Sequence, residues 1–348
     1  VFNKTVDVIN NRNGLVILPE GNHGDKKRLR PLKKGIARIA LQAENSFNGE
    51  LDIHIVPVGI DYTDYIKVRS GLLIRYGTPI PVRPLMKLYK SNPAKAHKLL
   101  IELVERGLKP EMVHIKDEKY YMVYKIILDM FTKVYNRANS KKDNHSNQFT
   151  TQKLIITKMD KFRQNNSDDF LLLAADALEY NLLLNRRDLT SNTYPMSKRS
   201  KWSFGPLAIL LLVLSPLHFY SFINNLIPLS GARLLSNKFK DKQFLSSVRF
   251  VGWLVLAPIF HLIQMAAFAV ITKSLLFTLV YAVSLPLSVY FFFLYKGWST
   301  KLWSWIKELR ISIFSPKRLT RLNELQRDLT RQMFEVIEFT NEDEYMKP

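Results

Sequence analysis

Cysteine is missing from all 348 residues, which removes disulfide frameworks, thiolate nucleophiles and cysteine-based metal sites together. That absence is compatible with a reducing, cytosolic face. Glycine and proline are modest, 13 and 16, beside 47% hydrophobic residues, a composition that excludes the disordered class. Acid is scarce: 30 Asp and Glu stand against 51 Lys and Arg, a formal charge of +21. Such a chain calls for an anionic partner, whether nucleic acid, a membrane surface or a phosphorylated metabolite. The first is not expected, because no zinc-finger spacing, RNP-like aromatic motif or basic recognition helix accompanies the charge. No Gly-Lys-Ser or Gly-Lys-Thr of a phosphate loop, no metal-ligand spacing and no internal repeat is present.

What is present begins at Gly14-Leu-Val-Ile-Leu-Pro-Glu-Gly-Asn22. Leu15 to Leu18 is an apolar run suited to a strand covered on both faces, and Pro19 and Gly21 stop it. Glu20 is then held at a strand's carboxyl end, where open α/β sheets collect ligands. From Asp25 to Arg38 there are seven basic residues and one acid, so an anion is expected beside Glu20. Ile36, Ile39, Ala40 and Ala43 recur at helical spacing, predicting a helix from about Gly35 with Lys33 and Lys34 at its amino end, a place suited to phosphate. The plainer reading of this basic run is a solvated face.

Leu18-Pro-Glu-Gly21, Lys33-Lys-Gly35 and Val56-Pro57-Val58 resemble, in order and spacing, the third and fourth sequence blocks of the glycerophospholipid acyltransferase family, bacterial type. The resemblance covers roughly residues 1–85. It implies transfer of a fatty acyl group from a thioester, acyl-CoA or acyl carrier protein, to a glycerol-3-phosphate or lysophospholipid acceptor, without a further cofactor or metal. By resemblance the acceptor group comprises Glu20, Gly21, Asn22, His23, Lys26, Arg28, Lys33 and Lys34, and the donor region comprises Val56, Pro57 and Val58. Pro57 reads equally well as structural, and Gly59 as the point where the backbone turns. Where the family has Phe-Pro-Glu-Gly-Thr-Arg, this chain has Leu18-Pro19-Glu20-Gly21-Asn22-His23. His23, Lys26, Lys27, Arg28 or Arg30 then stands in for the arginine.

The family's first block, His-x4-Asp, supplies its general base. None of the seven histidines here is followed five positions later by aspartate. His97 has Glu102 at that offset, but Ala94–Gly107 reads as a helix, where five residues turn about 140° past a full revolution and point the two groups apart. His97 therefore reads as a surface histidine. The catalytic His and Asp are expected upstream of Val1, which makes this chain an inactive fragment. A natural pseudoenzyme, a noncatalytic membrane scaffold with an anion-binding domain, and a transport component stay open as alternatives.

The expected fold is an N-terminally truncated α/β acyltransferase domain, with strands near 14–18, 53–58 and 72–76, followed by a helical region and C-terminal transmembrane helices. The expected divisions are 1–92 for the acyltransferase part, 93–197 for a helical insertion with a polar linker at 138–152, 198–296 for the membrane region and 297–348 for a basic cytoplasmic tail helix. Phe170-Leu-Leu-Leu-Ala-Ala-Asp-Ala-Leu reads as packed core. In the membrane region 205–229 is broken by Pro216 and Pro228, while 250–272 and 274–295 are cleaner. A 23-residue helix reaches about 34 Å, enough for a hydrocarbon core of about 30 Å. Lys198, Arg199 and Lys201 precede the first segment, Arg233, Lys238, Lys240, Lys242 and Arg249 follow it, and Lys296, Lys301 and Lys307 follow the third. All three flanks stay cytoplasmic if the first segment re-enters and the other two form a hairpin turning at Lys273-Ser274. The implied location is a membrane, with the active domain on its cytoplasmic face and the bacterial inner membrane as the expected one. Ser315 to Phe334 reads as an amphipathic basic helix, either on the leaflet or solvated.

Overall fold

The computed structural model describes residues 7–9, 11, 13–21, 24, 26–64, 70–185, 204–239 and 244–345, with side chains as far as 338. Asn22, His23, Lys198, Arg199, Lys201, Lys240 and Lys242 lie outside the described residues. The chain divides into two compact units, one made of 1–65, 70–124 and 135–157, the other of 66–69, 125–134 and 158–348.

In the first unit, α1 (Gly35–Ser46) forms where the spacing predicts it and buries Ile36, Ala37, Ala40, Leu41, Ala43 and Glu44. Ile39, expected in the stripe, is only half-buried, and Leu41 takes its place. The helix stops where Asn48 and Gly49 adopt positive φ. Buried Glu44 then accepts from the N–H groups of Asp52 (3.2 Å) and Ile53 (2.8 Å), tying the helix end to the strand that follows.

That strand is not continuous. β1 (His54–Ile55) pairs antiparallel with β4 (Ile80–Pro81), and β2 (Val58–Tyr62) pairs antiparallel with β3 (Leu72–Tyr76). The change of partner falls at Pro57, which has no N–H to give a ladder. Gly59 does not turn the chain as expected. It sits within β2, and a Cβ there would lie 1.7 Å from the Glu111 carbonyl oxygen, so its role is close backbone approach.

The strand expected at Leu15 to Leu18 does not form either. Val16 is 92% and Leu18 69% exposed, and only Ile17 of this run packs on the core. A strand needs a neighbour for its backbone groups, and the ladders among the described residues are β1–β4 and β2–β3. The structure is accordingly mostly helical, with α/β character limited to two antiparallel pairs. The β2–β3 pair also inverts the usual patterning. Val58, Ile60, Tyr62, Leu72, Ile74 and Tyr76 are exposed, while Gly59 and Asp61 are buried on the other face.

After β4 come α2 (Met86–Ser91) and α3 (Pro93–Leu108), the latter capped by Asn92, whose Oδ1 accepts from Lys95 N–H at 3.0 Å. Ala96, Leu100, Val104 and Leu108 of α3 share one core with Ile36, Ala37, Ala40 and Leu41 of α1. The division expected between 92 and 93 is therefore not a boundary. α4 (Tyr121–Ala138), α5 (His145–Asn165) and α6 (Ser167–Asn185) follow. The stretch 138–152, expected as a polar linker, becomes helix from His145 onward because Phe149 and Thr151 find a buried place.

The second unit contains the apolar segments. α7 (Phe204–Val213) and α8 (Ser215–Asn237) meet at a 60° bend, a geometry of either a broken span or a re-entrant loop. Pro216 opens α8, whereas Pro228 lies inside it without ending it. α9 (Leu245–Thr272) and α10 (Leu275–Phe314) are each long and apolar enough to cross a membrane. They turn at Lys273, in the left-handed region with φ 51°. α10 does not stop near Tyr295 as expected; it runs 40 residues. Inside this group Tyr281 donates to Asn224 Oδ1 (2.5 Å), Asn225 Nδ2 to Ser288 Oγ (3.0 Å) and Gln264 Nε2 to the Asn224 carbonyl (3.2 Å). Leucine, isoleucine and phenylalanine face outward, the arrangement expected where lipid surrounds the helices and polar groups join them.

α11 (Pro316–Tyr345) is not solvated all round. Leu322, Leu325, Leu329, Met333, Val336 and Ile337 are buried at helical spacing, and the helix packs on α6. Arg321 makes two hydrogen bonds to Glu179 there, at 2.9 and 2.7 Å. On α6 the run beginning at Phe170 is packed core along one stripe, through Phe170, Leu173, Ala174 and Ala177.

Candidate functional site

The turn at Pro19-Glu20-Gly21 is closed by two backbone bonds, Gly21 N–H to Leu18 C=O (3.3 Å) and Lys33 N–H to Pro19 C=O (2.8 Å). Gly21 has φ +69°, and a Cβ on it would stand 3.1 Å from Lys33 Cγ. Both facts favour glycine, and together they bring Lys33 alongside the residue that follows Glu20. The Glu20 carboxylate accepts from the Arg30 N–H, and partial burial pushes it above the usual carboxylate range, with the Arg30 bond and charge opposing. The Arg30 guanidinium lies over Gly24, where a Cβ would meet Nη2 at 2.6 Å. Lys34 occupies the N-cap of α1, and the space around Gly35 is open.

The rest of the basic run is directed elsewhere. Lys26 and Arg28 both reach Glu118, at 3.6 and 2.9 Å, and the Arg28 hydrogen bond, then the charges of Arg28 and Lys26, hold that carboxyl below its usual range. Lys27, between them, turns inward at a bend where the Arg28 N–H donates to the Lys26 carbonyl (2.8 Å). Its Nζ donates to Asp61 Oδ1 (3.2 Å) and Gln152 Oε1 (3.0 Å), and its N–H donates to the Tyr121 hydroxyl (2.8 Å). The Lys27 carbonyl accepts from Ile115 N–H at 2.8 Å. Asp61, on the buried face of β2, also meets His145 Nε2 at 2.9 Å. Leu29 N–H donates to His114 Nδ1 at 3.0 Å.

The structure thus brings Glu20, Gly21, Arg30 and Lys33 together, with Lys34 next in the chain. Lys26 and Arg28 serve an ion pair, and Lys27, a candidate for the missing arginine contact, is a half-buried strut. Val56 and Val58 are exposed. Pro57 is buried against Gly107, where a Cβ would stand 2.7 Å from its Cγ, which fits the structural reading of that proline.

Asp61, Glu118, His145 and Gln152 escaped the sequence reading. For Asp61 a signal existed, since an acid in register with Gly59 on a strand shares its face. His97, expected at the surface, is half-buried and edge-on to Tyr89 with ring centroids 5.6 Å apart. Burial, then Arg38 and Lys34, hold its imidazole below the ordinary value.

Residues 1–61 match the family model described as Acyltransferase. The chain is similar to glycerol-3-phosphate O-acyltransferase 1 of Saccharomyces cerevisiae, 28% identical over 134 residues that make up 38% of this chain and 18% of that protein. With glycerol-3-phosphate O-acyltransferase 2 of the same yeast it shares 30% identity over 108 residues, 31% of this chain and 14% of the relative. The matched part thus spans less than a fifth of the length of these curated relatives. No solved structure matches the chain.

Proposed function

We propose, from an amino-terminal segment that belongs to the glycerophospholipid acyltransferase family, that this chain carries the acceptor-binding part of a membrane-bound O-acyltransferase of lipid synthesis. The reaction would move an acyl group from a thioester, acyl-CoA or acyl carrier protein, to a hydroxyl of glycerol-3-phosphate or a lysophospholipid. The acceptor oxygen attacks the thioester carbonyl, the carbon–sulfur bond breaks, and the hydroxyl proton passes by way of a base to the departing thiolate. No residue of this chain is assigned as that base, since the His-x4-Asp pair is not in its sequence.

The closed turn that places Lys33 beside Gly21 carries the proposal. In this reading Lys33 and Lys34 take the acceptor phosphate, while Glu20 accepts from a glycerol hydroxyl and is kept in place by Arg30. The yeast relatives' names point to glycerol-3-phosphate as the acceptor. Titration calorimetry of the detergent-solubilised chain with glycerol-3-phosphate and with lysophosphatidate tests it. Saturable binding of at least one, weakened about tenfold in Lys33→Gln, is expected. No binding of either, or no effect of the substitution, overturns it.

The apolar helices would keep the site near the leaflet from which a lyso-lipid enters. Cytoplasmic placement follows if α7 and α8 re-enter and α9 and α10 form a hairpin, keeping the basic flanks on one side. Reporter fusions after Phe239 and after Phe314 should then report the same side. Opposite sides would exclude that topology.

A further inference from the structure

The two halves of α8 are fastened to different helices. Ahead of Pro228, Tyr220 shares a hydrogen bond with Ser284 of α10, Asn225 Nδ2 donates to Ser288 Oγ, and the His218 ring stacks on Tyr295 with centroids 3.9 Å apart. α7 joins the same side, because Tyr295 donates to the Leu211 carbonyl at 3.1 Å and Phe204 stacks on Trp305. Beyond Pro228 the chain packs on α9 through small residues: a Cβ on Gly231 would stand 2.8 Å from Leu256 Cδ1, and one on Gly252 would stand 3.4 Å from Ala232 Cα. Farther along, Ser236 Oγ accepts from Arg249 Nε at 3.0 Å. The division in α8 thus falls at a proline, and α9 and α10 themselves part at Lys273 with its positive φ.

Pro228 has no N–H, so the Asn224 carbonyl, four residues earlier, loses its helical partner. Inside a membrane such a carbonyl needs another donor, and Gln264 of α9 provides it, Nε2 to O at 3.2 Å. Pro258 and Pro286 lie inside α9 and α10, yet among the described residues no side chain donates to the Leu254 or Ala282 carbonyl that they release. The Asn224 side chain accepts from Tyr281 of α10 at 2.5 Å. One residue therefore carries a bond from each side of the division. Nearer the Lys273 turn the Phe268 and Tyr281 rings also stack across it. Gln264 Oε1, and His261 Nε2 one turn away on α9, are buried without a partner, so polar atoms at this seam are not all joined.

We propose that the membrane helices form two rigid pieces, hinged at Pro228 and Lys273 and latched by Gln264. One piece is α7, the first half of α8 and the membrane half of α10; the other is the second half of α8 with α9. Proline marks the hinge because helices bend where the hydrogen-bond ladder is interrupted. A carbonyl that borrows a side-chain donor can release it again without unwinding a helix, which makes the Gln264 bond a latch. Its release parts α9 from α10 on the side away from Lys273. The cleft so opened has the Gln264 and Asn225 amides at its walls, each with an oxygen that lacks a partner in the closed arrangement. The inference depends neither on the acceptor reading nor on which side of the membrane the basic flanks occupy.

The chain lacks cysteine, so introduced cysteine pairs are the only spin-label sites in the full chain, reconstituted in nanodiscs. Ile263→Cys with Leu287→Cys spans the division. Leu234→Cys with Leu254→Cys lies within one piece and Ile223→Cys with Leu287→Cys within the other, and all five positions are exposed. In electron–electron distance measurements, Gln264→Leu should raise a second, longer population about tenfold in the spanning pair alone. Adding Pro228→Ala should return that pair to its original distance, because the alanine N–H then serves the Asn224 carbonyl. If size-exclusion chromatography shows that Gln264→Leu does not fold, Gln264→Met, closer in shape, takes its place with the same expectations. A spanning pair unmoved by loss of Gln264, a change shared by the pairs within each piece, or a longer population that survives Pro228→Ala overturns the proposal.

Discussion

The layer behind β2 in the unit that carries Glu20 and the layer where α8 meets α9 and the first half of α10 hide opposite kinds of group. In the first, charge is enclosed: Lys27, Asp61 and His145 meet behind β2, while Val58, Ile60, Leu72 and Ile74 face outward. In the second, the enclosed polar groups joining Asn224, Asn225, Gln264, Tyr281 and Ser288 are neutral amides and hydroxyls, and a hydrocarbon-compatible surface surrounds them. The contrast teaches what each environment permits. A buried ion pair survives where geometry and extra hydrogen bonds repay its dehydration, and here Gln152 and His145 supply those bonds. Within a membrane, neutral hydrogen bonds join helices at lower cost than charges would.

The largest expected effect tests the first half of that contrast. Asp61→Ala leaves Lys27 and His145 without their shared acceptor and should cost about 3 kcal/mol, since removing one partner strands a partly buried charge. Urea unfolding followed by a signal from the first unit measures it, and a cost under about 1 kcal/mol would mean the ammonium finds water instead. Gly59→Ala comes next. Its Cβ would overlap the Glu111 carbonyl, so β2 must shift, at a cost of roughly 1–3 kcal/mol, visible in the same unfolding experiment. In the second unit Asn224→Leu removes the acceptor of Tyr281 and should cost only about 1 kcal/mol, read from unfolding in detergent. An equal or larger loss there than at Asp61 would erase the distinction.

The smallest effect is a pH slope. Burial raises the Glu20 carboxyl, so the folded chain keeps that proton at pH values where the unfolded chain has released it. Stability contributed by this group is therefore present at or below the ordinary carboxylate range and falls as pH rises through Glu20's higher value. Glu20→Gln should flatten that part of the melting-temperature profile, and an unchanged profile would show that another carboxyl causes the slope.

Local patterns in the sequence announced what local physics decides. The apolar stripe from Ile36, the helix at 94–107 and the turn at Lys273-Ser274 each follow from spacing or turn chemistry within a few residues. The uses of the basic run were not legible, because Lys26, Lys27 and Arg28 look alike in composition. Their different destinations depend on Glu118, Asp61 and Gln152, as many as 125 positions away. Leu15 to Leu18 misled for a related reason, since an apolar run shows readiness to pair but not that a neighbour is present. The continuation of α10 past Tyr295 was hidden by reading the end of hydrophobicity as the end of helix, although α-helical hydrogen bonding is indifferent to that change. At the candidate site the residue types were readable from the family's motif, whereas the division between Lys33 at the turn and Lys26 and Arg28 on Glu118 was not.

A structure of the chain with glycerol-3-phosphate bound tests the central claim most directly. The account predicts a phosphate within hydrogen-bonding distance of Lys33 and Lys34, with a glycerol hydroxyl on Glu20. Phosphate held instead by Lys26 and Arg28, with Glu118 displaced, or a ligand remote from the Gly21 turn, would contradict it.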